Sequence, residues 1–150
     1  MANDQDGAIR DFQDLEVWRE AMDLSEKTYR LTWTFPRRET YGLASQLQRA
    51  SVSIPSNIAE GRTRGSLREY SQFISIARGS LAEVRTQLIL AQRLEYVTAD
   101  IASEIGRDAE RLAKRLNALR NSLQKRSEIE QQPPKTQNPR PKTSEADASQ

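Results

Sequence analysis

One long row of apolar residues limits the folds open to this 150-residue chain. Its members recur at alternating steps of three and four through more than three heptads, a spacing that places them on one face of a helix. The row consists of Leu67, Tyr70, Ile74, Ala77, Leu81, Val84, Leu88 and Ala91. Just before it, Ser66 and Glu69 form the S-x-x-E capping box of a helix start. The pattern predicts a long helix that packs against other helices along its whole length.

Three further helices are predicted from apolar spacing and end signals. The first runs from an N-cap at Asp14 to about Trp33, the second from near residues 39–42 to Gly61, and the fourth from an N-cap at Thr98 to about Lys125. All the connections are short, which favours antiparallel neighbours. The prediction is an all-α, up-down-up-down antiparallel four-helix bundle.

The segment SVSIPSNIAEG, residues 51–61, places Pro55 inside the apolar row of the second helix. Proline removes the hydrogen bond to the carbonyl of Ser51 and normally costs about 3 kcal/mol inside a helix. A separate helix from Asn57 to Gly61 would be too short, so we expect one helix kinked at Pro55. The polar side chains of Ser51, Ser53, Ser56 and Asn57 are placed to compensate.

Two features of the helices predict close packing or assembly. Gly79 lies in the middle of the third helix, where a hairpin about Arg64 would set it opposite Arg49 and Ala50, and it therefore predicts a close approach of two backbones. A second apolar row on the third helix includes Phe73, Ile76 and Leu90, and the first helix carries Val17, Ala21, Leu24 and Leu31 beside the row that starts at Leu15. Two apolar faces on one helix predict a homo-oligomer.

Composition separates the bundle from both ends of the chain. Residues 1–13 and 127–150 are polar, and the second segment is rich in proline, so both are predicted to be disordered around a bundle of residues 14–126. That bundle carries 19 Lys and Arg against 14 Asp and Glu, and 16 of its cations are arginine. Arginine suits phosphate and carboxylate partners, although solubility also explains a basic surface.

Several classes of function are excluded or disfavoured. The chain has no cysteine and no histidine, which excludes thiol catalysis, haem ligation through these residues and a Glu-x-x-His di-iron site. Serines lack an activating base, so we expect no enzyme and no cofactor. No apolar stretch is long enough to span a membrane, so a cytoplasmic protein without membrane contact is predicted.

The antiparallel order predicts where arginines gather. The start of the first helix, the turn between the second and third helices and the end of the fourth must share one end of the bundle. The cations expected there are Arg62, Arg64, Arg68, Arg120, Lys125 and Arg126, while Arg49 and Arg78 lie on the second and third helices away from the core rows. These eight are the candidate nucleic-acid-binding residues. The alternative is internal pairing with Glu16, Glu60 and Glu69.

Three segments of the chain resemble a known family: DLEVWREAMDL (14–24), YGLASQLQRASVSIPSNIAEG (41–61) and EYSQFISIARGSLAEVRTQL (69–88). They resemble the bacterial four helix bundle proteins named for 23S rRNA intervening sequences, from about Asp14 to Leu123. The resemblance implies a four-helix bundle that assembles as a homopentamer. Its name reflects the position of the genes within ribosomal RNA genes. A related group is similar to the accessory proteins of diversity-generating retroelements, which bind nucleic acid and a reverse transcriptase.

Two hypotheses about function follow. The first is a non-catalytic, oligomeric bundle that binds the backbone of structured nucleic acid, RNA in preference to DNA, through arginine. The second is a protein-interaction scaffold, such as an accessory subunit of a reverse-transcriptase complex, without direct nucleic-acid contact. The pairing of the arginines within the chain distinguishes the two.

Overall fold

The computed structural model describes residues 11–135 and contains four α-helices within them. They are α1 (Glu16–Thr32), α2 (Leu43–Arg62), α3 (Leu67–Arg93) and α4 (Ala99–Gln131), with short 3-10 helices at Phe12–Asp14 and Arg37–Glu39. Each helix packs antiparallel against its neighbours in chain order, and α4 closes the bundle against α1. This confirms the predicted fold. None of the described helices is long and apolar enough to cross a membrane.

The apolar row of α3 forms the centre of the core. Six of its eight members are buried, and only Leu67 and Tyr70, at the start of the helix, remain partly exposed. Leu47, Ile54 and Ile58 of α2 face this row, and α4 contributes mainly leucine. The helical spacing in the sequence therefore identified the core face of α3 correctly.

The core face of α1 differs from a simple continuation of the row that starts at Leu15. Ala21, Leu24 and Leu31, from the second apolar row, are buried, whereas Trp18 and Met22 lie at the surface or near it. The small polar residues Ser25, Thr28 and Thr32 are buried between these rows. Their size lets α2 approach α1 closely, and this turns the larger aromatic side chains outward.

The helix starts agree with the predicted N-caps at two of three positions. The hydroxyl of Ser66 accepts a hydrogen bond from the backbone N–H of Glu69 at 3.1 Å, and Thr98 accepts one from Ile101 at 3.4 Å. Asp14 is not the N-cap of α1, because it closes the preceding 3-10 turn through a reciprocal capping box with Asp11.

The fourth helix is longer than predicted. α4 ends at Gln131, six residues past Lys125, because charged residues such as Glu128 are good helix formers and the first residue that interrupts the pattern is Pro133. Within the two segments predicted to be disordered, residues 12 and 13 belong to a 3-10 turn and residues 127–131 are helical. Residues 1–10 and 136–150 lie outside the described part.

Pro55 lies inside one continuous α2, which confirms the prediction of a single helix rather than two, and the carbonyl it leaves without a donor is served from another helix. The hydroxyl of Ser25 in α1 donates to the carbonyl oxygen of Ser51 at 2.7 Å, the acceptor that Pro55 leaves without its helical donor. Within α2, the amide of Asn57 donates to the carbonyl of Ser53 at 2.7 Å. The sequence suggested the local partner and missed Ser25.

The close approach of α2 and α3 occurs at Gly61, and the prediction for Gly79 was wrong. A Cβ atom at Gly61 would lie 2.7 Å from Cβ of Phe73, whereas a Cβ at Gly79 would have nothing within 4 Å. The hydroxyls of Ser53 and Ser80 are hydrogen-bonded at 2.8 Å and mark the register of this hairpin. That register places Gly79 on the outer surface of α3, away from Arg49.

Candidate nucleic-acid interface

The bundle end predicted to gather arginines contains a cleft of about 530 Å³, hereafter the end cleft. Arg62, Arg64 and Arg126 line it together with apolar residues from the starts of α1 and α3 and from α4. Arg64 is held in place, because its guanidinium pairs with Glu60 at 2.6 Å and lies 4.7 Å from the ring centre of Phe73. Arg64 thus forms the predicted pair with Glu60.

Arg68 belongs to a different surface, between α3 and α4. It lines a cavity of about 360 Å³ with polar residues of α4, among them Gln124 and Ser127. Arg85 and Arg107 line a second cavity of about 360 Å³ farther along the same two helices. The predicted cluster is therefore divided between the end cleft and this lateral groove.

A heptad pattern connects the two cavities. On α3, positions 68, 71, 75, 78, 82, 85 and 89 are separated by alternating steps of three and four, which places Arg78 between Arg68 and Arg85 on one face. On α4, positions 106, 110, 113, 117, 120 and 124 form the facing row. We call this surface the arginine groove, defined by Arg68, Arg78, Arg85, Arg107 and Arg120.

Arg120 is partly buried on this face of α4. Its Nη2 donates to Oδ1 of Asn121 at 3.3 Å, and its Nε is buried without a hydrogen-bond partner among residues 11–135. A buried donor without a partner loses its hydration without compensation. The guanidinium therefore retains unused hydrogen-bonding capacity at the wall of the groove.

On the opposite side of α4, cations of α1 and α4 form ion pairs with carboxylates of the other helix. Arg115 contacts Glu16 at 2.8 Å and Glu20 at 2.9 Å, and Lys27 contacts Asp108 at 2.7 Å. The hydrogen bond to Asp108 is the main cause that raises the pKa of Lys27 above its ordinary value of 10.5. Within the described part of the chain, none of the five arginines of the groove takes part in an ion pair.

Two predicted residues lie apart from both surfaces. Arg49 is exposed on α2, and Lys125 is exposed near the end of α4. Sequence reasoning left out Arg107; it grouped Arg85 with Arg49 and Arg78 as residues suited to line a groove or the lumen of a ring, but did not include it among the eight candidates. The signal for Arg85 was available, because it continues the heptad steps from Arg68 and Arg78, but assigning that face to α4 required the orientation of α3.

The polar residues around Pro55 satisfy one another and form no shared catalytic pocket. Ser53 bonds to Ser80, Asn57 donates to Ser53, and Glu60 is occupied by Arg64. Ser56 instead faces a separate groove between α1 and α2. These contacts explain the polar segment as helix packing around a proline.

The groove between α1 and α2, hereafter the apolar groove, has a volume of about 530 Å³. Its lining includes Trp18, Met22, Tyr29, Trp33, Val52, Pro55 and Ala59. Trp33 is 68% exposed, and Met22 and Val52 also remain accessible. Large apolar side chains that gather at a concave surface are typical of a protein interface.

Comparisons with known proteins agree with this architecture. A crystal structure of a protein of unknown function from the S23 ribosomal protein family of Bacteroides thetaiotaomicron VPI-5482 matches with a TM-score of 0.65. The sequences are 22% identical, and the match covers 69% of this chain and 96% of that chain, so the likeness concerns the fold alone. No curated protein matches the chain. The family model for the 23S rRNA-intervening sequence protein matches residues 13–118, and the chain belongs to that family.

Proposed function

We propose that this protein is a non-catalytic, oligomeric module that binds the sugar-phosphate backbone of structured nucleic acid, RNA in preference to DNA, along the arginine groove. The observation that carries the proposal is the contrast between two sides of α4. Between α1 and α4, Arg115 of α4 and Lys27 of α1 are paired with carboxylates of the other helix, whereas the arginines between α3 and α4 have no ion pair with a described residue. Unpaired arginine is available to phosphate.

The dimensions of the groove suit a short stretch of backbone. Arg68 and Arg85 are 17 residues apart on one helix, which corresponds to about 25 Å. At about 3.4 Å per base pair, this length matches about seven steps of a duplex. The small residues between the arginines, such as Ser75 and Ala82, let a backbone approach the helices. Binding of this kind is sensitive to salt and reads shape more than sequence.

The test measures binding of the purified protein to a labelled RNA hairpin and to a DNA duplex of the same sequence across a salt series. The groove variant Arg68→Ala/Arg78→Ala/Arg85→Ala should weaken binding and reduce the salt slope by about two to three, since each phosphate contact contributes about 0.7 to 0.9 to it. RNA should bind more tightly than DNA at every salt concentration.

A matched control removes the same number of cations from other faces. Arg19→Ala/Arg37→Ala/Arg111→Ala changes the net charge equally and should leave the salt slope nearly unchanged. Equal loss in both triple variants would mean that net charge, not the groove, attracts nucleic acid. Absence of binding by the folded protein at low salt would overturn the proposal.

The apolar groove supports assembly with further copies of the chain. Burial of Trp33, Met22 and Val52 against another copy would remove apolar surface from water, and the family resemblance predicts a pentamer. Light scattering should give the mass of the oligomer, and Val52→Glu should reduce it. A monomer in the unaltered protein would refute assembly while leaving the arginine groove testable.

The second candidate function is the protein-interaction scaffold, and the apolar groove is the observation that favours it. In that case a different protein occupies the groove, and the arginines serve solubility. A folded monomer that binds no nucleic acid at low salt would favour this scaffold over the nucleic-acid module.

A further inference from the structure

The end cleft differs from the arginine groove in shape and in lining. Its floor is apolar, formed by Leu15, Leu67, Leu119 and Leu123, and its rim carries Arg62, Arg64 and Arg126. Its volume of about 530 Å³ lies within the usual range for a small-ligand pocket. A cavity of this size accommodates one nucleotide and is too small for a duplex.

The charges around the cleft are mainly positive. Glu130 is the acidic residue in the lining, and Glu60 contacts Arg64 from outside the lining. The ion pair and the stacking on Phe73 hold the guanidinium of Arg64 in one orientation. Because Arg64 is already paired with Glu60, we assign the phosphate contacts to Arg62 and Arg126, which line the same cleft.

Tyr70 provides an aromatic side chain within the same cleft. It is partly buried, and its hydroxyl has no hydrogen bond to any residue that the structure describes. Burial raises the pKa of its phenol, and the charges of Arg62 and Arg126 act in the opposite direction. Both guanidinium groups are therefore close enough to act on a group in the cleft.

We infer that the end cleft binds a nucleotide through its 5′-phosphate, with the base against Tyr70 and the leucine floor and the phosphate at Arg62 and Arg126. A phosphate monoester carries about 1.5 to 2 negative charges at pH 7, whereas an internal phosphodiester carries one, so two arginines favour the terminal group. The nucleotide is either the 5′ end of a strand or a free mononucleotide. Only the first case rests on the proposed nucleic-acid function.

The experiment compares two single-stranded RNAs of the same sequence, one with a 5′-phosphate and one with a 5′-hydroxyl, both labelled at the 3′ end. The 5′-phosphate should increase affinity about tenfold, the contribution expected of one charge-assisted hydrogen bond. Arg126→Ala should abolish this ratio. Arg68→Ala, a matched loss of one exposed arginine, should weaken both RNAs and preserve the ratio.

Calorimetric titration with AMP and adenosine tests whether the cleft binds a free mononucleotide as well as the 5′ end of a strand. It also separates this inference from the proposed function. Binding of AMP but not adenosine, lost in Arg126→Ala, supports the cleft as a mononucleotide site even when neither RNA binds. Equal affinity for both RNAs together with no binding of AMP would overturn the inference, whatever the arginine groove does. A 5′-phosphate preference that persists in both Arg126→Ala and Arg62→Ala would also overturn it.

Discussion

The hydroxyl of Ser25 lies 2.7 Å from the carbonyl oxygen of Ser51 and supplies, from another helix, the hydrogen bond that Pro55 cannot make. The same hydroxyl lies 2.9 Å from the carbonyl oxygen of Ala21, so its single hydrogen is shared between two acceptors, of which Ser51 is the nearer. The position of the proline in α2 is thus coupled to the packing of α1.

Ser25→Ala should reduce the free energy of unfolding by about 1–3 kcal/mol, since it leaves a buried carbonyl without a donor. In the background of Pro55→Ala, residue 55 regains its N–H and can serve Ser51 itself, so the same substitution should be less destabilising. Urea unfolding of the four proteins measures this coupling. Equal losses in both backgrounds would show that Ser25 acts independently of the proline.

Replacing Gly61 and Gly79 by alanine should change the free energy of unfolding in opposite directions. Gly61→Ala places a methyl group 2.7 Å from Cβ of Phe73 and 3.0 Å from Tyr70, and should destabilise the protein by about 1–3 kcal/mol. Gly79→Ala adds a methyl group in open space within a helix and should stabilise it by about 0.5–1 kcal/mol. Both are measured by denaturant unfolding. A stabilising Gly61→Ala would contradict the close packing of α2 on α3.

Arg115→Ala should affect stability more than nucleic-acid binding. Arg115 joins α4 to both Glu16 and Glu20, and an exposed ion pair of this kind contributes about 0.2–1 kcal/mol. The loss should shrink in 1 M salt because salt screens the pair. Arg85→Ala is the matched change of charge, with a larger expected effect on RNA affinity. A larger loss of RNA affinity in Arg115→Ala than in Arg85→Ala would contradict the assignment of RNA binding to the α3–α4 side of the bundle.

The phenol of Tyr70 should lose its proton at a higher pH than an ordinary tyrosine does. Burial raises its pKa above 10.0, and Arg62 and Arg126 limit that rise, so Arg126→Ala should raise the pKa further. Because the folded-state pKa is the higher one, the protein loses stability as the pH rises through and above about 10. Lys27 acts in the same direction.

Ultraviolet titration of the tyrosines, with Tyr70→Phe to identify the late phase, tests this assignment. Tyr70→Phe should also flatten part of the alkaline loss of stability. A lower pKa of Tyr70 in Arg126→Ala would show that Arg126 does not act on the cleft.

The sequence was sufficient for the bundle because its strongest signals are local. The apolar row from Leu67 to Ala91 and the caps at Ser66 and Thr98 depend only on residues within one helix and its start. The core face of α1 was ambiguous, since both of its rows are apolar and the choice depends on how closely α2 packs against Ser25 and Thr28. Such a choice requires the partner helix.

The candidate site was predictable only in part for the same reason. The antiparallel order correctly placed Arg62, Arg64 and Arg126 together, because that requires only knowledge of which helix ends meet. Arg68 lies at the expected end of the bundle, near Gln131 of α4, but it lines a different cavity from the end cleft, because its direction depends on the rotation of α3 about its axis. Arg107 was not among the candidates, because α4 has cations on several faces and only the packed structure shows which are paired.

Arg78 and Arg85 are one heptad apart, the same repeat that governs the buried row of α3. The row of arginines and the buried row therefore have the same period and keep a fixed angle to each other around the helix. Deleting one residue between Arg78 and Arg85 would rotate the remainder of the helix by about 100° and displace the cations and the core together. Natural variation that preserves the bundle therefore tends to preserve the alignment of these arginines, and an insertion tolerated within α3 should come in whole heptads.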